Sequence, residues 1–157
     1  MKLNHTPEEY SAKAKSLFEQ GYNCAQAVLL AFDDITGLET ETAAKLSSSF
    51  GGGMGRLREV CGAVSGMFAV AGITNGYSDP KATEEKANHY AFIQQLAAEY
   101  KKENGSIICK ELLGLPGAQE PVPEARTADY YRRRPCGEYV AYAAKLLAEQ
   151  LATSDPN

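Results

Sequence analysis

Four cysteines, Cys24, Cys61, Cys109 and Cys136, are the residues of this 157-residue chain best suited to chemistry. A thiolate attacks disulfides and binds soft metal ions, and its formation depends on local charge and exposure. The spacings are 37, 48 and 27 residues with no CxxC pair, which excludes a zinc ribbon, a zinc finger and a thioredoxin-type motif. Any shared chemistry must therefore come from the fold. Each cysteine falls close to a predicted helix start. Cys24 directly follows a capping Asn23, Cys61 lies about one turn into its helix, Cys109 comes three residues after a capping Ser106, and Cys136 opens the last helix. Helix N-termini carry unpaired N–H groups and partial positive charge, and both favour a thiolate. Cys24 shares a helical face with Val28, Ala31 and Ile35, and Cys136 with Val140, Ala143, Ala144, Leu147 and Leu151. Those offsets turn the thiols inward. If the helix ends converge, the four cysteines form one site.

Such a site supports two chemistries. In the first, Cys24, Cys61, Cys109 and Cys136 act catalytically, two of them cycling between dithiol and disulfide while the others resolve or support them. In the second, the same four thiolates hold an iron–sulfur cluster or a tetrahedral zinc. A helical interaction module with inert core cysteines is the third reading, but inert thiols have no reason to gather at helix starts. Cys136 is the expected attacking thiol. The dipole of its helix and the upstream Arg132, Arg133 and Arg134 should bring it below the free value of about 8.5.

The elements that must position these residues are helical. Thr6-Pro7-Glu8-Glu9 supplies a cap, a first-turn proline and a capping-box glutamate, and the helix ends near Gly21. From Asn23 to about Asp33 a second helix is apolar on nearly all sides, which places it at the centre of a bundle. Further helices are predicted over Glu41–Ser49, from about Arg58 to Ala71, from Asp79-Pro80 to about Glu103, over a short stretch ending at Gly114, and from about Cys136 to Leu151. Leu115 to Pro135 contains four prolines and reads as a long surface connection. Strand alternation is nearly absent. The expectation is all-α: a single-domain helical bundle of about five to seven helices over residues 1–157.

Three segments carry a resemblance. Gly21-Tyr22-Asn23-Cys24-Ala25-Gln26-Ala27-Val28, Phe50-Gly51-Gly52-Gly53-Met54-Gly55 and Cys61-Gly62-Ala63-Val64-Ser65-Gly66 resemble the C-GCAxxG-C-C family of putative redox-active proteins. The CGAxxG hexapeptide is matched in full, and Cys109 and Cys136 correspond to the two later cysteines. The resemblance implies a small helical protein with a redox role and no established substrate.

The remaining features are weaker. The Gly-rich loop lacks the Lys-Ser/Thr ending of a P-loop and does not fit G-x-G-x-x-G. Its glycines instead suit a backbone that approaches a cysteine closely. His89 shares a helical face with Ile93, Leu96, Ala97 and Tyr100 and reads as a hydrogen-bonded core residue, with a ligand or proton-transfer role as the alternative. A net charge of -4 argues against a nucleic-acid partner. Glycines and Asn75 interrupt the uncharged stretch from Val60 to Ser78, so it reads as a buried helix rather than a membrane span. The first twenty residues build no secretory signal, and a cytoplasmic location is expected. The expected partner is a redox protein or a small thiol.

Overall fold

The computed structural model describes residues 1–154. They form nine α-helices: α1 Pro7–Glu19, α2 Cys24–Ala31, α3 Asp33–Thr36, α4 Thr40–Ser47, α5 Gly62–Asn75, α6 Thr83–Asn104, α7 Cys109–Leu113, α8 Ala128–Arg133 and α9 Cys136–Thr153. A 3-10 turn over Ser48–Phe50 and a tight turn over Gly51–Met54 lie between α4 and α5. The fold is all-α, and among the described residues the only strand-like pairing is one antiparallel bridge between Val60 and Ile108.

Caps fix where the first two helices begin. The Thr6 hydroxyl accepts from the Glu9 backbone N–H while the Glu9 carboxylate accepts from the Thr6 N–H, completing the capping box. Asn23 and Gln26 repeat the arrangement at the start of α2. Six of the eight residues of α2 are buried. It is the central element, packed against α1, α4, α5 and α9, as its all-round apolarity requires. The helix breaks at Phe32, and α3 follows before the left-handed Gly37 ends it.

Several boundaries differ from the sequence expectation. The helices exceed the expected five to seven by two, α3 and α8, which are single turns or little more. α5 starts at Gly62 rather than Arg58. Residues 59–61 instead pair with 107–109: the Cys61 N–H donates to the Ile107 carbonyl at 2.8 Å and the Cys109 N–H to the Glu59 carbonyl at 2.6 Å. α6 starts at Thr83 because the Asp79 carboxylate accepts from the Lys81 N–H and holds a turn there. Within the expected surface connection, Thr127 caps α8 by accepting from the Tyr130 N–H at 3.1 Å.

Gly62 and Gly66 lie one turn apart on α5 and form the seam with α2. A β-carbon on Gly66 would stand 2.7 Å from the Ala25 carbonyl oxygen, and one on Gly62 would stand 3.1 Å from the Cys24 Cβ. Only glycine permits that approach. The seam places the first residue of α2 directly beside the start of α5.

Candidate thiol site

All four cysteines sit at a helix start. Cys24, Cys109 and Cys136 are the first residues of α2, α7 and α9, and Cys61 is the N-cap of α5 rather than one turn inside it. The cap before α7 is Ile108, not Ser106. The Ser106 hydroxyl instead accepts from the Ile108 N–H and contacts the Glu111 carboxylate. The Val60–Ile108 bridge puts Cys61 and Cys109 on one face of the paired segments, diagonal to each other.

These helix ends converge. Cys24, Cys61, Cys109 and Cys136 together line one cavity of about 70 Å³, which also has Gly53, Arg58, Arg126, Tyr130 and Tyr139 in its wall. Cys61, Cys109 and Cys136 are buried, and Cys24, although part of the residue reaches solvent, keeps its thiol buried. All four are free thiols. Among the described residues, no group of three or more His, Cys, Asp or Glu side chains is placed to hold a metal ion.

The thiols are electrostatically unequal. Cys24 and Cys136 act on each other's protons. The Cys24 thiol favours the thiolate at Cys136 against burial, aided by the positive charges of Arg134, Arg58 and Arg126, so Cys136 lies below its ordinary value. The neighbouring Cys136, together with burial, pushes Cys24 well up. The two therefore titrate as a pair, with the negative charge favoured on the Cys136 side. Burial also raises Cys61, although the Tyr100 hydroxyl lies 3.5 Å from its sulfur and opposes the shift. Burial raises Cys109 as well, against Arg58, whose Nη1 donates to the Cys109 sulfur at 3.6 Å.

Of the three upstream arginines, only Arg134 acts on Cys136 as expected. Its side chain is largely buried and pairs with Glu124 at 2.5 Å. Arg132 and Arg133 lie exposed and pair with Asp129, Arg133 also reaching Glu124. Arg58 and Arg126 are site residues that the sequence does not announce. Arg58 stands three residues before Cys61, a proximity that could have drawn attention to it. Arg126 carries no such signal, because its place is set by tertiary contacts: it donates to the Phe18 and Tyr22 carbonyls and stacks 4.3 Å over the Phe18 ring. Tyr100 and Tyr139 are likewise site residues with no local signature.

The Gly-rich loop shapes the wall in an unusual way. Gly52, Gly53, Met54, Gly55 and Arg56 all have φ between 60° and 70°, and the Gly55 N–H donates to the Gly51 carbonyl at 2.9 Å. This is one turn of left-handed helix, which costs about 1–2 kcal/mol at each residue other than glycine. The turn brings Gly53 so near Cys109 that a β-carbon there would stand 2.6 Å from the Cys109 Cβ. The close approach expected of this loop is therefore real, and its target is Cys109.

Residues 22–150 match the family described as putative redox-active protein (C_GCAxxG_C_C). The chain belongs to this family. Its cysteines and CGAxxG glycines are the residues that build the cavity: Gly62 and Gly66 seat α2 against α5, and Cys24, Cys61, Cys109 and Cys136 meet where those helices start. No curated protein and no solved structure matches the chain.

His89 stands apart from this site. It is buried on α6 and packs edge-on against Tyr77 at 6.3 Å, and its Nδ1 has no hydrogen-bond partner among the described residues. Burial lowers its pKa, so the neutral form is favoured. Among the described residues, no helix is long and apolar enough to cross a membrane.

Proposed function

We propose that this protein carries out thiol–disulfide exchange, with Cys136 as the attacking thiol, Cys24 as the resolving thiol, and Cys61 and Cys109 as supporting thiols of the same cluster. The observation that carries the reading is the meeting of Cys24 and Cys136, each the first residue of its helix, in the wall of one cavity that Arg58 and Arg126 also line. The Cys136 thiolate attacks one sulfur of a substrate disulfide, forming a mixed disulfide and expelling the other half as a thiolate. While Cys136 carries negative charge, that charge helps keep the proton on Cys24. Capping Cys136 removes the charge, the Cys24 proton passes to the departing thiolate, and the positive field of Arg126 then favours the Cys24 thiolate. Cys24 attacks the Cys136 sulfur, the Cys24–Cys136 disulfide forms, and the second half of the substrate leaves. The protein loses two electrons and the substrate gains them.

The test is intermediate trapping. A Cys24→Ala variant treated with a small disulfide should accumulate a mixed disulfide at Cys136, detectable as a mass increase, whereas Cys136→Ala should not accumulate one at Cys24. A mixed disulfide at Cys24 in Cys136→Ala, with none at Cys136 in Cys24→Ala, would reverse the assignment, and modification of neither would end the exchange reading.

A further inference from the structure

Beside the thiol cavity lies a second, larger one of about 580 Å³. The two share Asn23, Gly52, Arg58, Arg126 and Tyr130 as walls, so a molecule seated in the outer groove borders the thiols directly. Three arginines line the groove: Arg56, Arg58 and Arg126. Its one acidic residue, Glu124, is already paired with Arg133 and Arg134. Among the described residues, none of the three groove arginines has a carboxylate within 4 Å. Arg58 is buried and donates from Nε to the Gln119 side chain at 2.9 Å, and Arg56 donates from Nε to the Glu120 carbonyl at 2.6 Å. The groove is therefore a concentrated positive patch on a chain of net charge -4. The left-handed turn sets Arg56 and Arg58 at its rim, spending unfavourable backbone conformations to do so.

We infer that the outer groove binds the anionic end of a low-molecular-weight disulfide, a carboxylate or a phosphate, and so presents its S–S bond to the thiol cavity. Guanidinium forks match both anions. The groove's size is that of a small-ligand site rather than a protein interface. This inference rests on the thiol–disulfide exchange proposed above and narrows its substrate to a charge class.

Four disulfides on one two-carbon skeleton separate the possibilities: bis(2-hydroxyethyl) disulfide, its bis-phosphate ester, 3,3′-dithiodipropionate and cystamine. The measurement is the rate at which each oxidises the reduced full-length protein, divided by its rate with a simple monothiol to remove intrinsic reactivity. One or both anionic disulfides should react at least about tenfold faster than the neutral diol, and cystamine more slowly than it. A carboxylate site favours dithiodipropionate, and a phosphate site favours the bis-phosphate. Arg56→Gln should remove most of the preference, read as the ratio of anionic-disulfide to diol rates, and 0.5 M salt should do the same to the unmodified protein, so the result does not depend on the variant folding. A flat charge series, or faster reaction with cystamine, overturns the anion site and leaves the exchange function standing. If no disulfide reacts faster with the protein than with the monothiol, the exchange function itself falls, and the substrate class with it.

Discussion

A β-carbon placed on Gly66 would stand 2.7 Å from the carbonyl oxygen of Ala25, the residue after Cys24. The contact ties the last glycine of CGAxxG to the first turn of α2, and through it to the position of the Cys24 thiol. The oxygen belongs to backbone, so it cannot rotate away as a flexible side chain would. Gly66→Ala should therefore push α2 from α5 and destabilise the protein by about 1–3 kcal/mol. Gly72, on the same helix, is exposed, and a β-carbon added there would meet nothing within 4 Å. Gly72→Ala should stabilise by roughly 0.5–1 kcal/mol, because alanine is the better helix former. Urea midpoints of the two variants check the contrast. Equal effects would contradict the tight seam.

The Tyr100 hydroxyl is set against the Cys61 sulfur, at 3.5 Å, and it favours the Cys61 thiolate against burial. Tyr100→Phe keeps the ring that fills the core and removes only this partner. Cys61 should then titrate higher and alkylate more slowly at a given pH, while stability changes by about 1 kcal/mol or less. Faster alkylation of Cys61 would show that the hydroxyl shields the sulfur rather than polarising it.

Stability of the reduced protein should fall as pH rises past about 8.5, the free thiol value. Cys24, Cys61 and Cys109 are raised in the folded state, so above that pH the folded chain keeps protons that the unfolded chain has released. Their contribution is complete below the unfolded value and is lost as pH climbs through the folded values. Cys136 is lowered and acts in the opposite sense, its contribution present above the unfolded value and lost as pH falls through the folded one. Three groups outweigh one. Urea midpoints of the reduced protein between pH 8 and 10 should decline, and a rising midpoint would refute the burial-driven shifts at Cys24, Cys61 and Cys109.

Gly53 has a φ of 67° and faces Cys109, Arg58 and Glu59 within 3 Å of where a β-carbon would stand. Gly53→Ala should displace Arg58 from the Cys109 sulfur and raise the Cys109 titration further, since Arg58 is what holds it down. The pH dependence of Cys109 alkylation in that variant reads this directly. An unchanged profile would mean that the left-handed turn does not position Arg58.

How much of this was legible in the sequence depends on whether the cause was local. The capping box at Thr6, the buried α2 and the inward stripe from Cys136 through Leu151 all follow from side chains within a few residues, and each is present in the fold. The early start assigned to α5 failed for a non-local reason: Cys61 exchanges helix for a backbone pairing with Ile107, forty-six residues on. α8 was hidden because prolines on either side resemble a connection, while its own cap, Thr127, needs only one hydrogen bond. The cluster of thiols could be expected from their common position at helix starts. The approach of Cys24 to Cys136 and the role of Arg126 could not, because they depend on how helices from distant parts of the chain meet.

The most direct test of the central claim is disulfide mapping by mass spectrometry after the fully reduced protein is oxidised with one equivalent of a small disulfide and its remaining thiols are blocked. A single intramolecular Cys24–Cys136 disulfide, with Cys61 and Cys109 blocked as thiols, is the predicted product. A different cysteine pair, or four blocked thiols and no disulfide, would contradict the account.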